Sequence, residues 1–268
     1  MPEVLRGTNL NYNAGVRHRY EAKLLALVNQ MTAQTNRKLR AFYKQEHDFA
    51  YFAADADMSS QARILMNEIY RRFQQLFNAK SKGLAEGMMK DSNKASAAAM
   101  KGSLKKLSAG LTIKTDVISG TMKTIMKAQI AENVALIRSI PSQYFTQVQG
   151  SVMRSITTGN GLADLLPALQ KYDGITQRRA KLIATDQTRK AFSNLNHERM
   201  VNSGIKKFEW VHSGGGMEPR RLHLELNGKI FSLDDLPVID EDTGERGIPG
   251  QLINCRCVSR PIVDFGGE

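Results

Sequence analysis

Apolar residues return every three or four positions through much of the first half of this chain. In residues 16–51, Leu24, Leu25, Leu27, Val28, Met31, Leu39 and Phe42 fall at that spacing. Such a period buries its apolar residues only when the backbone coils into a helix with one apolar face. Ile64, Leu65, Ile69, Phe73, Leu76 and Phe77 repeat the pattern after Ser59-Ser60, a plausible cap for a second helix. Residues 78–112 are rich in Ala, Lys, Ser, Gly and Met, and read either as a small-residue helix or as a weakly packed linker. From 112 to 139 the helical period resumes through Ile113, Val117, Ile118, Met122, Ile125, Ile130, Val134 and Ile137. Pro141 is expected to end that helix, because its ring removes a donor and clashes with the preceding turn.

The pattern changes from Tyr144 onward. A short helix over 144–157 should stop at Gly159-Asn160-Gly161, and another should cover 162–170. Asp173-Gly174 reads as a turn, and Thr176 as the cap of a long helix ended near residue 202 by Ser203-Gly204. Strands are expected over 205–212, 229–231 and 256–262, with a short helix at 219–225 and an Asn227-Gly228 hairpin turn. Residues 1–14 read as an extended or loose arm. No repeat of 20–50 residues is visible. The fold class is therefore α+β, predominantly α. An extended helical N-terminal region, residues 1–150, precedes a small α+β C-terminal domain with short hairpins, residues 151–268.

Charge divides the chain in the same place. Residues 1–150 hold 22 Lys or Arg against 11 Asp or Glu, whereas residues 151–268 hold 16 against 15. Lys80, Lys82, Lys90, Lys94, Lys101, Lys105 and Lys106 stand in a stretch with few acidic residues. That excess points to a polyanion or an acidic protein surface as partner, the alternative being a solvated face with a lysine bias. No aromatic residues interleave these lysines, so contact with DNA would be through phosphates and without sequence preference. There is no run of 18 apolar residues and no apolar stretch at the N-terminus, so neither a membrane span nor a signal peptide is expected.

The only two cysteines, Cys255 and Cys257, are separated by Arg256. Side chains at i and i+2 of a strand share a face, so two thiols there can clamp a metal. His223 and His212 are the candidates to complete a four-ligand zinc site. The competing reading packs both cysteines in the core and bonds His223 to the backbone. Arg220 and Arg221 can bind an anion or tie down a loop through its carbonyls; the second reading is preferred. A Cys/His nucleophile pair, oriented by Asp186 or Glu225, is conceivable. No Gly-x-Ser-x-Gly, P-loop or His-Glu-x-x-His pattern accompanies it, and the chain is expected not to be an enzyme. The acidic run Asp240-Glu241-Asp242 does not have EF-hand spacing and reads as an exposed loop.

Taken in order, several blocks resemble the phage Mu F-like minor head protein family. They are Arg179–Thr188, Ala191-Phe192-Ser193-Asn194, Ser203-Gly204-Ile205, Phe208-Glu209-Trp210, Arg220-Arg221-Leu222-His223, Leu226–Phe231, Pro249-Gly250 and Asn254-Cys255-Arg256-Cys257. The resemblance covers roughly residues 150–268. Asp186 stands where that family has Glu. Arg220 to His223 stand where many relatives carry Cys-x-x-Cys, and Gln251-Leu252-Ile253 where they tend to carry a His. The resemblance implies a minor structural protein of a tailed-phage head. Its implied partners are the portal protein, the major capsid or scaffold protein, and double-stranded DNA. The implied location is the head interior or portal vertex of the virion. Two alternatives stand beside it: an effector or toxin-like enzyme carried on a head protein, and a basic, sequence-independent DNA-binding protein.

Overall fold

The structure, a computed structural model, describes residues 4–49, 58–105, 115–214 and 218–264. The elements in chain order are β1 (Val4–Arg6), α1 (Ala14–Phe49), α2 (Met58–Lys105), α3 (Gly120–Thr157), α4 (Leu162–Asn202), β2 (Lys207–Val211), α5 (Arg221–Glu225), β3 (Ile230–Ser232) and β4 (Val258–Asp264). The protein is predominantly helical with one small sheet, as its periodicity predicts. No helix among the described residues is long and apolar enough to cross a membrane.

Of the two readings of residues 78–112 the helix is the one found: residues 78–105 form the second half of α2, with Ser81, Ser92, Ser96 and Ser103 buried, and 106–112 lie outside the described residues. Two helical expectations are corrected. Pro141 does not end α3, which continues through it to Thr157. A mid-helix proline costs about 3 kcal/mol. Burial of the flanking Ile140, Tyr144 and Phe145 offsets that. The hydroxyls of Ser139 and Ser142 donate to the carbonyls of Leu136 and Ser139, at 2.8 and 3.0 Å. Asp173-Gly174 is not a turn, and Thr176 is not a cap, since α4 runs unbroken past both. The Asp173 carboxylate is used sideways, accepting from Asn36 at 3.1 Å and from the Tyr144 hydroxyl at 3.3 Å. Thr176 is buried and donates back to the Tyr172 carbonyl at 2.7 Å.

The chain divides into two compact units that are not contiguous in sequence. One comprises Met1–His18, Glu86–Ala131 and Thr185–Glu268; the other comprises Arg19–Ala85 and Glu132–Ala184. The expected boundary at residue 150 falls inside α3. Among the described residues the second unit contains helices and no strand. Its aromatic core includes Phe73 stacked on Phe145 and Tyr144 edge-on to Phe145, while the Tyr20 hydroxyl donates to Asn133 at 2.7 Å.

The first unit holds the sheet, in strand order β1-β4-β2-β3 with every pairing antiparallel. The N-terminal arm is therefore not loose: β1 pairs with β4, and Gly7 and Leu10 extend the contact by donating to the carbonyls of Pro261 and Ser259. Buried Glu209 on β2 lies opposite Arg260 on β4 and bonds it at 3.1 Å; Arg6 of β1 bonds the same carboxylate at 3.1 Å. Asn227-Gly228 joins α5 to β3 rather than two paired strands, with Gly228 at φ 78°.

The end of α4 sets the entry to this sheet. Gly204 takes φ 73°, Ile205 N–H bonds the Met200 carbonyl, and Gly204 N–H bonds that of Val201. These paired bonds around a left-handed glycine stop the helix and aim the chain into β2. One turn earlier sits Arg199, 2% exposed. It donates to Ser96 Oγ at 3.0 Å, to the carbonyls of Thr115 and Asn93, and to Asn93 Oδ1. Ser96 in turn donates to Asn196 at 2.7 Å. Replacing Arg199 with Met keeps much of the volume but leaves those acceptors dry. Urea unfolding of Arg199→Met should show a loss of about 3 kcal/mol. A variant within about 1 kcal/mol of the parent would show that the network contributes little.

Candidate metal centre

His223, Cys255 and Cys257 come together in the first unit. All three are buried, and their ligand atoms lie within 4.8 Å of one another. His223 is supplied by α5, a single helical turn. The thiols come from the segment just before β4 rather than from the strand itself, since β4 begins at Val258. That segment is shaped by two backbone positions. Gly250 sits at φ 90° close to Ser193 and the Cys257 carbonyl, where a Cβ would press on both. Asn254 takes φ 61°, a left-handed conformation that asparagine tolerates.

The His223 ring is oriented from behind. Its Nε2 donates to the Ile239 carbonyl at 3.0 Å, which leaves Nδ1 facing the sulfurs of Cys255 at 3.5 Å and Cys257 at 3.7 Å. A backbone carbonyl on one imidazole nitrogen fixes the tautomer and presents the other as a ligand. Trp210 packs edge-on to His223, with ring centroids 5.1 Å apart. Its buried indole N–H makes no hydrogen bond, and the indole lies where it favours a Cys257 thiolate. Hydrogen bonding from Cys257 draws the first ionisation toward Cys255, assisted by His223, while the Cys255 thiolate and burial push Cys257 up.

This donor set fits a thiophilic divalent cation. Two sulfurs and an imidazole whose other nitrogen is tied to a backbone carbonyl are ligands that a zinc site uses. His212 does not join the three. It lines the same open cavity of about 470 Å³, but its Nδ1 accepts from the Gly214 N–H at 3.1 Å. Glu218 lines that cavity too. Nothing in the sequence spacing singles Glu218 out. Trp210 is legible as a strand aromatic but not as a neighbour of the thiols.

The remaining candidates resolve locally. Arg220 ties down a loop as expected, donating to the Ile253 carbonyl at 3.1 Å. Glu225 pairs with Arg221 at 2.9 Å, and Asp186 with Lys190 at 3.3 Å. The acidic run is an exposed turn in which Asp240 Oδ1 accepts from the N–H groups of Asp242 and Thr243. Lys80, Lys82, Lys90, Lys94, Lys101 and Lys105 are all exposed on α2; Lys106 lies outside the described residues. Within the first unit, Lys90, Lys94, Lys101 and Lys105 follow one another by four, seven and four. Helical geometry puts them inside an arc of about 60° along roughly 22 Å.

Comparison with known proteins agrees with the blocks read from the sequence. Residues 146–260 match the family described as Phage Mu protein F like protein. An uncharacterised protein of Haemophilus influenzae is 29% identical over 248 residues, which cover 91% of this chain. That similarity extends through most of the helical first half. The chain spans about half of the relative's length, 53%. No solved structure matches. The matched stretch, residues 146–260, holds the His223–Cys255–Cys257 cluster and most of the sheet, so in that region this chain is similar to the phage Mu protein F-like family.

Proposed function

We propose that this chain is a minor structural protein of a tailed-phage head, placed at the portal vertex, acting in head morphogenesis and in DNA packaging or delivery. The observation that carries the reading is the family match over residues 146–260. In this reading the portal protein and the major capsid or scaffold protein are its protein partners, and the virion head is its location. The role is architectural rather than enzymatic. Co-expression with the portal protein of the same genome should yield a stoichiometric complex that survives high salt. Failure to co-purify, together with absence of the chain from purified virions, would overturn the assignment.

The lysine stripe on α2 supports a second part of the proposal. Lys90, Lys94, Lys101 and Lys105 would meet duplex phosphates, without reading bases. Replacing all four with Gln alters only exposed positions. The slope of log affinity for duplex DNA against log salt should then flatten by up to about 4. An unchanged slope removes the stripe from the DNA contact.

The third part concerns zinc. His223, Cys255 and Cys257 would hold it, and a residue of the shared cavity or water would complete the shell. Bound there, zinc supplies folding energy by tying α5 to the segment before β4. The Ile239 carbonyl would keep His223 aimed, and the unpartnered Trp210 N–H would be free to turn toward the thiolate. Zinc at a hundredfold excess over Kd stabilises by about 2.7 kcal/mol, so the melting temperature should rise roughly 5–10 °C. Cys257→Ser and His223→Gln should lose the rise. An equal rise in the variants, or none in the parent, rejects the site.

A further inference from the structure

A second concavity in the first unit is cationic and serves none of the roles above. Its volume is about 550 Å³, and Arg17, Arg189, Arg256, Tyr12, Thr185 and Ser213 are among its lining residues. The three guanidiniums come from three distant stretches of sequence. Arg17 stands in the first turn of α1, which Asn13 caps through its side chain, and also reaches the His18 ring. Arg189 belongs to α4, and Arg256 is the exposed residue between the two cysteines. No acidic side chain is among the described residues that line the cavity.

Arg189 is held but not saturated. Its Nη2 reaches the Tyr12 hydroxyl at 3.4 Å and its Nη1 the Cys255 carbonyl at 3.5 Å, both long. Its Nε is buried with no hydrogen-bond partner. The guanidinium carbon lies 4.9 Å from the centre of the Tyr12 ring, which keeps its plane in place. Tyr12 itself reports the field. The Arg189 hydrogen bond, with the charges of Arg189, Arg17 and Arg256, holds its phenol below the usual range.

The geometry points to a phosphate-binding site formed by Arg17, Arg189 and Arg256, with the hydroxyls of Thr185, Ser213 and Tyr12 as further donors. Three guanidiniums exceed what one carboxylate can use. A phosphate group offers more oxygens and up to two charges, and guanidinium forks match its geometry. The cavity is larger than one phosphate, so the group is carried on a larger molecule. That molecule is either a free phosphorylated compound or a nucleic-acid strand presenting its backbone. This inference rests neither on the portal reading nor on the α2 lysines.

Calorimetric titration of the full-length chain with inorganic pyrophosphate is the direct test. The parent should bind, with affinity that falls as salt rises. Arg256→Gln alters an exposed residue and should weaken binding about tenfold or more. Arg189→Gln should weaken it at least as much, with near-ultraviolet circular dichroism reporting whether that variant stays folded. Displacement of pyrophosphate by a duplex of about 20 base pairs would identify a nucleic-acid backbone as the source. A duplex that leaves it bound would identify a free phosphorylated compound, and either result supports the site. Absence of binding by the parent at about 10 mM, or equal affinity in Arg256→Gln, overturns the proposal. So does a glutamate-rich peptide that binds where pyrophosphate does not.

Discussion

The sheet-bearing unit depends on one buried guanidinium. Arg199 is 2% exposed yet has no carboxylate among its hydrogen-bond partners; its charge is met by two carbonyls, an amide oxygen and a hydroxyl. Burying a charge this way is tolerable only when its donors find acceptors. The acceptors come from α2 and from the stretch before α3, so the last turns of α4 are held against both within this unit. The chain beyond Arg199 inherits that position. Met200 accepts from Ile205, Gly204 turns the chain, and Phe208 and Trp210 enter the core with the two cysteines. The indole that flanks His223 is thus placed by a helix end in the preceding stretch of sequence.

Much of this is legible from the sequence, and the failures share a cause. The starts of α1 and α2, the Ser203-Gly204 stop and the three strands of the second half come from period and turn chemistry. Pro141, Asp173-Gly174 and Thr176 mislead because each carries a local signal that tertiary partners override. Tyr144 and Asn36 claim the Asp173 carboxylate, so nothing is left to cap a turn. Burial around Pro141 outweighs its missing donor. β1 is invisible for a different reason: three residues show no period, and only the open edge of β4 makes them a strand. The division into units also escapes, since residues adjacent in sequence along one helix are grouped with different neighbours.

At the candidate centre the sequence names the residues but not their orientation. Two cysteines and a histidine are visible as a set; the Ile239 carbonyl that fixes the imidazole tautomer is not, because a backbone acceptor leaves no trace in residue identity. His212 enters the set as the end of the expected strand over 205–212, and its Nδ1 accepts instead from the Gly214 N–H. The same reasoning reads Arg220 correctly. An arginine close to a loop rich in carbonyls finds one, and the Ile253 carbonyl accepts it.

Cys255, Arg256 and Cys257 place two chemistries on three consecutive residues. The thiols are buried beside His223, while Arg256 is exposed. The Cys255 carbonyl also accepts from Arg189, so the backbone between the thiols is fastened from the side of the cationic cavity. A substitution at either cysteine therefore changes packing, the thiol cluster and the frame that holds Arg189 at once. Removing only the Arg256 charge leaves core, sulfurs and backbone as they are. The two chemistries are separable at that residue and at neither of its neighbours, because it alone of the three contributes nothing to the core.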